Sequence, residues 1–343
     1  MQDKEVFIYG TGDYAHRLYC WINNNHICKI SGFVVSESLS KKTIYENERV
    51  LGIRELLKDK SCYDKYIFLI AIADKLIVKD LVAYLHAHKV QNCYDCSEFI
   101  SNNIASNSDD HYCLICGNTV SKFNEGGIEY GELNIFTKYH IIGGGKRDNC
   151  LCPNCGAIDR LRWVYYVISN YTNIFNDNTS VLHFAPENSL SQRIKRLKFC
   201  NYISADLEYG RADFVMDITD IPFKDGTFDY VIANHVLEHV SNEKRAISEL
   251  KRVIKKTGKL ILSFPICTSI ATIEEDTISS PEERMTYYGQ KDHVRLYGFD
   301  YKERLETFGL KVNLYSPNRI MNEEEIKRYG FIYDDIVLIC EKK

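Results

Sequence analysis

Short apolar runs alternate with amphipathic stretches along most of this chain. In the N-terminal part, the runs KEVFIYG, ISGFVVSE and KYIFLIAI predict strands, and residues 75–88 predict a helix. In the C-terminal part, strands are predicted at VLHFA, YISAD, FDYVIAN and GKLILSFP, and then at KVNLYS and DIVLICEK after the helical YKERLETFG. This alternation is typical of strands linked by helical crossovers in a parallel sheet, so both parts are predicted to have an α/β fold.

Two stretches interrupt this alternation. Residues 101–110, SNNIASNSDD, are polar and carry few large apolar side chains, which predicts a linker. Residues 266–300 form a long irregular stretch, which is typical of a lid over a functional site. A chain of 343 residues is too long for one typical domain, and we predict three, at residues 1–105, 106–165 and 166–343.

The composition is ordinary for a soluble globular protein, because 45% of the residues are hydrophobic and 26% are charged. The formal net charge of -4 gives no overall attraction for nucleic acid, so nucleic acid is not expected as a partner. No apolar run reaches the roughly 18 residues needed to span a bilayer, and the charged start MQDKEVFIYG does not resemble a signal peptide. A cytoplasmic location is therefore expected.

Cysteine spacing predicts a metal site in the middle of the chain. The 13 cysteines stand in a chain without an export signal, so reduced thiols and metal ligands are expected rather than disulfides. Two pairs, Cys113-x-x-Cys116 and Cys152-x-x-Cys155, are each followed by glycine. Four thiolates favour a structural Zn²⁺ ion, because a closed tetrahedral site leaves no position open for chemistry. A redox pair and unmetallated thiols are the alternatives, and Cys150 is close enough to replace one ligand.

A glycine-rich basic stretch, GGGKR at residues 143–147, lies between the two cysteine pairs. Its backbone N–H groups and basic side chains suit an anion, although it lacks the spacing of a nucleotide-binding P-loop. A flexible tip with solvated charges is the alternative. Arg160 and Arg162 follow the second cysteine pair at the start of an apolar helix, and one of them is expected to reach the active-site cleft.

Acidic residues stand where two predicted strands end, with Asp206 after YISA and Asp217 after FVM. Ligands of parallel sheets bind at the carboxyl ends of the strands, where a carboxylate accepts hydrogen bonds from ribose hydroxyls or an adenine amino group. The piece MDITDIPFKDGTFDYVIANHVLEHV closely resembles the central block of class I S-adenosylmethionine-dependent methyltransferases. The resemblance covers about residues 178–343 and implies a seven-stranded sheet whose last strand is antiparallel to the rest.

The same resemblance implies a binding site for S-adenosylmethionine. It places Asp206 on the ribose, Asp217 beside the adenine amino group and Ile218 against the adenine ring. Asn234 and His235 are expected to line the pocket beyond the fourth strand.

The first strand of this part departs from the family pattern. The family usually has D-x-G-x-G there, whereas this chain has His183-Phe184-Ala185-Pro186-Glu187. Losing glycine is expected to remove access to positive φ, and proline has no N–H to donate. Phe184, Ala185 and Glu187 are therefore expected to hold the methionine end of the cofactor differently, with Glu187 as its main ligand.

Three histidines are candidates for a catalytic base. Methyl transfer needs an aligned acceptor, and a hydroxyl acceptor also needs a base. His235, His239 and His293 are available as neutral imidazoles near pH 7, and His293 is expected to be the base, with His235 as the fallback. His239 is expected to pack a helix instead. His293 lies in DHVRLYG, a string that resembles a recurring piece of related methyltransferases; there Asp292 or another carboxylate is expected to orient the ring, and Arg295 to bind an anionic group of the substrate.

The N-terminal part carries a second resemblance. YGTGDYA, GFVVSE, VLGIREL and YIFLIAI follow one another as in the nucleotide-sugar-binding domains of bacterial sugar O-acyltransferases. The turn GTGDYA at residues 10–15 places N–H groups and a helix N-terminus where a phosphate binds. Glycines that only permit a tight turn are the alternative. Glu37 ends the second strand, where it either holds a ribose or is solvated.

Together these patterns predict a Rossmann-like domain, a small zinc ribbon and a class I methyltransferase domain. The predicted function is S-adenosylmethionine-dependent O-methylation of a sugar, a glycan or a related small molecule, including a nucleotide-linked one. A zinc-ribbon RNA methyltransferase is one alternative, and a non-catalytic binding or scaffold protein of the same fold is another. The sequence does not predict an oligomeric state.

Overall fold

The computed structural model describes residues 4–11, 13–36, 44–46, 48–58, 64–72, 75–103, 111–132, 134–175, 178–197 and 200–343. The chain divides into two compact units, residues 1–108 with 169–171 and residues 109–168 with 172–343. Both cysteine pairs belong to the second unit, together with the C-terminal sheet. The finer division into three domains stays a prediction, and most of the predicted linker lies outside the described residues.

The first unit is a mainly parallel sheet with helices in its crossovers. Its strands are β1 (Glu5–Tyr9), β2 (Ile30–Val35), β3 (Ile44–Tyr45), β4 (Glu48–Gly52), β5 (Tyr66–Ile70) and β6 (Cys93–Asp95). Its helices are α1 (Asp13–Asn24), α2 (Ile53–Leu56), α3 (Lys75–Ala87) and α4 (Ser97–Asn103). The strand order is β3-β4-β2-β1-β5-β6, and every neighbouring pair is parallel except β3 with β4. The α/β class predicted for this part is confirmed.

Apolar side chains cover both faces of this sheet. Phe7 and Phe68 pack in one buried cluster, whereas Ile8 and Phe33 pack in another. Successive side chains of a strand point to opposite faces, so Phe7 and its neighbour Ile8 serve different layers. Because both faces are buried, the strands are apolar almost throughout.

The glycine turn after β1 is described only in part. Gly10 has a φ of 119°, and a Cβ there would lie 2.9 Å from the carbonyl oxygen of Ala71. Glycine is therefore required at this position by both conformation and space. Gly12 and Glu37 lie outside the described residues. Phosphate binding by the loop at residues 10–15 stays a prediction.

The second unit begins with short elements around the cysteine pairs. They are β7 (His111–Cys113), β8 (Asn118–Val120), β9 (Asn124–Gly126), α5 (Ile135–Lys138), β10 (Ile141–Ile142), β11 (Arg147–Leu151) and α6 (Asp159–Tyr171). β7 pairs with β8 and β9 pairs with β11, both in antiparallel fashion.

A seven-stranded sheet forms the core of the second unit. The remaining elements are β12 (Thr179–Phe184), α7 (Asn188–Leu197), β13 (Cys200–Asp206), β14 (Phe214–Val215), β15 (Phe228–Asn234), α8 (Glu243–Val253), β16 (Ile254–Ser263), β17 (Ile266–Cys267), α9 (Pro281–Tyr287), α10 (Tyr301–Thr307), β18 (Leu310–Tyr315), α11 (Glu323–Tyr329) and β19 (Val337–Lys342). The order is β14-β13-β12-β15-β16-β19-β18, and only β19 is antiparallel to its neighbours. The predicted class I methyltransferase fold is confirmed.

The stretch predicted to be irregular, residues 266–300, contains both a strand and a helix. Ser280 caps the start of the α9 helix: its side chain accepts a hydrogen bond from the N–H of Glu283, and the Glu283 carboxylate accepts one from the N–H of Ser280. Pro281 occupies the first turn. Ser-Pro-x-Glu is a strong signal for a helix start, so this helix was predictable from the sequence.

Backbone pairing and buried polar side chains attach residues 111–158, called the cysteine-containing segment below, to the large sheet. β10 pairs with β17, which follows β16 closely in the chain, so β10 lies at the carboxyl edge of the sheet. Asn134 donates hydrogen bonds from its amide to the carbonyls of Met285 and Gly289, which lie in and just after α9. No helix in the described part of the chain is long and apolar enough to cross a membrane.

Candidate active site and metal centre

The turn after β12 opens the backbone at the carboxyl edge of the sheet. Ala185 has a φ of 45°, and its N–H donates to the carbonyl of Ala205 at 2.8 Å. The expectation that losing glycine removes positive φ at this turn is therefore wrong. Alanine adopts the left-handed conformation here, although this conformation costs a non-glycine residue about 1–2 kcal/mol.

The two acidic residues predicted for the adenosine end lie at strand ends, as expected. One oxygen of Asp206 accepts a hydrogen bond from the N–H of Glu208 at 2.8 Å. One oxygen of Asp217 accepts from both the N–H and the hydroxyl of Thr219, each at 2.7 Å. No other hydrogen bond to either carboxylate occurs within the described residues. Each side chain is thus fixed through one oxygen and has the other for a ligand, while the neighbouring Ile218 is buried.

Two buried polar atoms near the first and fourth strands lack hydrogen-bond partners among the described residues, Oε2 of Glu187 and Nδ2 of Asn234. Phe184 is in register with Ala233, so the ends of β12 and β15 lie side by side. Oε2 of Glu187 lies 3.3 Å from Nε2 of His183, but no hydrogen bond joins the two atoms. A carboxylate suits an ammonium group, and an amide N–H suits a carboxylate.

These unpartnered atoms test whether the crevice fits S-adenosylmethionine. Burying polar atoms without partners is unfavourable, so a native crevice that does so is suited to a polar ligand. The unpartnered carboxylate and amide match the charged ends of an amino acid, and the acidic strand ends match a nucleoside. The residues present therefore fit this cofactor.

His235 leaves the end of β15 in a strained conformation beside the cysteine-containing segment. Its φ is 51°, and its N–H donates to the carbonyl of Ser263 at 2.8 Å. Its Cε1 and Nε2 atoms lie 3.4 and 3.6 Å from the position that a Cβ on Gly143 would occupy. Its Nδ1 lies 3.1 Å from Oε1 of Glu238. Burial, assisted by the positive charge of Arg160, lowers the pKa of His235, so the neutral imidazole is favoured.

A cavity of about 420 Å³ is lined in part by the triglycine segment (residues 143–145). Aromatic and apolar side chains make up much of its lining, with a few polar groups between them. Its lining includes Tyr130, Phe136, Tyr139, His140 and Lys146. His235 and this cavity therefore meet at Gly143.

The basic residues next to the triglycine segment are already paired. Arg147 donates to two carbonyls of the segment at 2.8 and 2.6 Å and forms a two-bond pair with Asp159. Lys146 lies 2.8 Å from a carboxylate oxygen of Glu125. Lys146 and Arg147 are therefore engaged with protein groups, which does not favour anion binding by GGGKR. The triglycine segment is an ordered wall of the cavity.

Arg160 is the arginine that reaches this region. Its Nη1 donates to the carbonyl of Gly143 at 3.3 Å, and its buried Nε lacks a hydrogen-bond partner among the described residues. Arg162, in contrast, is fully buried and donates to backbone carbonyls of the second cysteine pair's loop and of the α11 end. It also stacks 3.8 Å from the ring centre of Phe123, which marks it as a structural brace.

His293, the histidine of DHVRLYG, lies beside the turn formed by residues 237–240, which is called the LEHV turn below. Nδ1 of His293 is 3.0 Å from the carbonyl of Tyr288, and its ring contacts that of His239 edge to face. Asp292 pairs with Nδ1 of His239 at 3.3 Å, and orientation of the His293 ring by Asp292 or another carboxylate stays a prediction. Burial lowers the pKa of His293. One ligand atom each of Glu238, His239 and His293 lies within 4.8 Å of the others.

Arg295 braces the loops around this turn. Nη1 donates to the carbonyls of Leu237 and Val240, and Nη2 donates to the carbonyl of Ser241 and to Glu274. The side chain is fully buried. An anionic substrate group would have to displace these bonds, so substrate binding by Arg295 stays a prediction that the observed contacts do not favour.

The two cysteine pairs converge on one point. The sulfur atoms of Cys113 and Cys155 lie 3.7 Å apart, and those of Cys116 and Cys152 lie 3.8 Å apart. A tetrahedral zinc with bonds of about 2.3 Å places its sulfur ligands about 3.8 Å from one another. The four residues therefore fit a zinc ion, and the alternative ligand Cys150 is not in the group of four.

The backbone around each cysteine pair and the hydrogen bonds among the four thiols bear on the same zinc site. The N–H groups of Gly117 and Gly156 donate to the carbonyls of the first cysteine of each pair, and both glycines have positive φ. Hydrogen bonding among the four sulfur atoms lowers the pKa of Cys116 and Cys152, which favours the thiolate form that binds zinc, and raises the pKa of Cys113 and Cys155.

Sequence reasoning missed two parts of the candidate site, Glu238 and the cavity at the triglycine segment. Glu238 has a local signal, because it follows His235 by three residues in a turn. The cavity has none, because residues 128–147 form its lining only once they fold onto one another and onto Ile332.

Comparison with known proteins supports the C-terminal assignment. The family described as "Methyltransferase domain" matches residues 187–262. Two uncharacterized proteins of Methanocaldococcus jannaschii are 51% identical over 45 residues and 50% identical over 46 residues. Each match covers 13% of this chain, and the chain spans about a fifth of the length of these curated relatives, 22% and 20%. The family match supports a class I methyltransferase domain in the second unit.

Solved structures align with about half of the chain. A SAM-dependent methyltransferase from Archaeoglobus fulgidus is 15% identical with a TM-score of 0.35, and the alignment covers 53% of this chain and 94% of that one. One from Aquifex aeolicus is 15% identical with a TM-score of 0.33, covering 52% and 88%. The [4+2]-cyclase SpnF is 15% identical with a TM-score of 0.39, covering 53% and 81%.

Proposed function

We propose that this chain is an S-adenosylmethionine-dependent methyltransferase that methylates a hydroxyl group of a sugar, a glycan or a related small molecule. The observation that carries the proposal is the position of His235. Its backbone leaves the strand end that borders the cofactor crevice, and its ring lies against Gly143 at the cavity. One imidazole thus lies next to a glycine that lines a second concave site.

The cavity suits an acceptor with both apolar and polar faces. The rings of Tyr130 and Phe136 lie 4.6 Å apart at its wall. Aromatic rings pack against the apolar faces of sugars and bases, while carbonyl and amide groups of the triglycine segment can bind hydroxyls. Nε of Arg160, which lacks a partner in the described residues, suits a phosphate or carboxylate on such an acceptor.

His235 is the base in this proposal. Burial favours its neutral form, and Oε1 of Glu238 lies 3.1 Å from Nδ1, so Nε2 is the nitrogen that can accept the proton of the acceptor hydroxyl. Bound S-adenosylmethionine supplies a methyl group activated by its sulfonium. Asp206, Asp217 and Glu187 would hold the cofactor, and much of the rate would come from alignment.

The four cysteines supply a structural part of the same proposal. Zinc bound by Cys113, Cys116, Cys152 and Cys155 would fix the two loops that flank the segment carrying β10 and the triglycine wall. A closed four-thiolate site adds no chemistry of its own. Its contribution is to hold one wall of the acceptor cavity in place.

Methyl-group transfer to acceptor pools tests this function. The full chain is incubated with methyl-labelled S-adenosylmethionine and with nucleotide-sugars, free glycans or RNA. We expect label in a sugar-containing pool and a loss of about 10²–10⁴-fold in His235→Gln, since a base is removed. His26→Gln, an exposed histidine of the first unit, is the matched control. Label in RNA alone would favour the RNA methyltransferase alternative, and no transfer to any pool would favour the scaffold alternative.

A further inference from the structure

A group of metal-binding side chains that contains no cysteine lies at the LEHV turn. Glu238, His239 and His293 each place one ligand atom within 4.8 Å of the others. Glu238 and His293 are each 1% exposed, so the group is largely withdrawn from solvent. We propose that these three side chains bind a divalent transition-metal ion, in addition to the ion expected at the cysteines. This site does not depend on the proposed methyl transfer.

The carboxylate of Glu238 is the first argument for a cation. It is buried in a short turn at Leu237–His239, and neither of its oxygens has a hydrogen-bond partner among the described residues. Its contact with Nδ1 of His235, at 3.1 Å, is an ion-pair distance without hydrogen-bond geometry. A buried carboxylate is unfavourable unless a positive charge or several donors satisfy it. A metal ion provides that charge.

The histidines supply the second argument, which is independent of the first. Nδ1 of His239 contacts the carboxylate of Asp292 at 3.3 Å, and Nδ1 of His293 lies 3.0 Å from the carbonyl of Tyr288. A metal-binding histidine typically donates its other ring N–H to a carboxylate or a carbonyl, which fixes the tautomer and turns the free nitrogen toward the metal. Both rings have this arrangement, and each has its Nε2 for a ligand.

The donor set indicates the class of metal. Two imidazole nitrogens and one carboxylate oxygen suit Zn²⁺, Fe²⁺, Co²⁺ or Ni²⁺, whereas Mg²⁺ and Ca²⁺ prefer oxygen ligands. Three protein ligands also leave at least one coordination position for water or for an oxygen of a bound molecule. The contact between Glu238 and His235 places the ion next to the candidate base and its cavity.

Metal content of the intact chain tests the site. The wild-type chain, equilibrated with Co²⁺ under reducing conditions and freed of loose metal by gel filtration, is analysed for metal per chain and by absorption. We expect two ions, one with the intense sulfur-to-cobalt band of the cysteine site and one without it. In Glu238→Gln and His293→Gln, we expect about one ion per chain with the sulfur band unchanged.

Two matched variants control for the substitutions themselves. His26→Gln and Glu324→Gln change exposed side chains outside both clusters and should retain the wild-type content. The wild-type measurement decides the matter even if the cluster variants fail to fold. A wild-type chain in which all bound Co²⁺ carries the sulfur band would overturn the proposal, as would folded Glu238→Gln with undiminished metal content.

Discussion

At the scale of single residues, one aromatic ring is held between two glycines at the cavity wall. A Cβ on Gly144 would lie 1.8 Å from the ring of Phe136, and a Cβ on Gly289 would lie 1.9 Å from the opposite edge. The ring therefore has no room to retreat from a side chain at either position. Because the Phe136 ring lines the cavity, Gly144 and Gly289 determine the shape of the cavity by leaving room for that ring.

Alanine at Gly144 should therefore impair acceptor binding. The added methyl group must displace Phe136, whereas Gly131→Ala, at a glycine outside the cavity lining, places a Cβ in open space. We expect Gly144→Ala to raise the KM for the acceptor about tenfold or more, with an unchanged Kd for S-adenosylmethionine. Gly131→Ala should retain the wild-type KM. Equal acceptor kinetics in the two variants would show that the cavity is not the acceptor site.

The pH dependence of turnover should report His235. Its pKa lies below the ordinary value of 6.5 because burial disfavours the charged ring. A base acts only when neutral, so kcat/KM should stay flat above pH 7 and fall as the pH drops through this lowered pKa. His235→Gln should remove that acid limb from the residual rate. An inflection above pH 7 in the wild-type profile would contradict a buried, neutral base.

Sequence reasoning found residues whose role depends on their position within one strand. Asp206 ends β13 and Asp217 closely follows β14, so their place at the carboxyl edge follows from the strand pattern alone. Gly144 acquires its role by packing against Phe136 and Glu238 acquires its role through burial, which one-dimensional patterns do not encode. Ala185 shows another limit, since its left-handed φ of 45° contradicts its intrinsic preference.

At the scale of elements, the pairing of β10 with β17 joins the cysteine-containing segment to the large sheet. Both strands have only two residues each, so the sequence pattern could not reveal them. The longer strands and the cysteine pairs were predicted, because period-two apolar runs and short ligand spacings are local signals. The start of the α9 helix has a capping signal in the sequence, but residues 266–300 were predicted to be irregular, so the helix was not predicted.

Loss of one zinc ligand should destabilise the cysteine-containing segment more than the large sheet. Because metal binding contributes to folding of a four-cysteine site, Cys152→Ser should lose the cysteine-bound zinc and become sensitive to protease within residues 111–158. Cys267→Ser, at a buried cysteine outside the cluster, should keep its zinc. Metal analysis and the mapped first cleavage site provide the measurement. Wild-type or Cys267→Ser protein that contains no zinc when purified without a chelator would refute the metal assignment.

At the scale of the whole molecule, the chain combines two α/β units with different strand orders. The second unit brings the cofactor crevice, the candidate base and the cavity together, and its fold and family match support methyl transfer. The first unit resembles a nucleotide-sugar-binding domain in its sequence, and its ligand stays a prediction. Sequence patterns indicate each sheet because the crossovers are regular, but they do not indicate the substrate.

Calorimetric titration of the full chain with S-adenosylmethionine tests the central claim most directly. We predict one binding site in the wild-type chain, and a loss of about 1.5–3 kcal/mol in Asp206→Ala, the contribution of a hydrogen bond to a charged group. Asp292→Ala, an exposed carboxylate at the LEHV side, should bind the cofactor as the wild type does. No heat of binding in the folded wild-type chain, or an unchanged affinity in Asp206→Ala, would contradict the account.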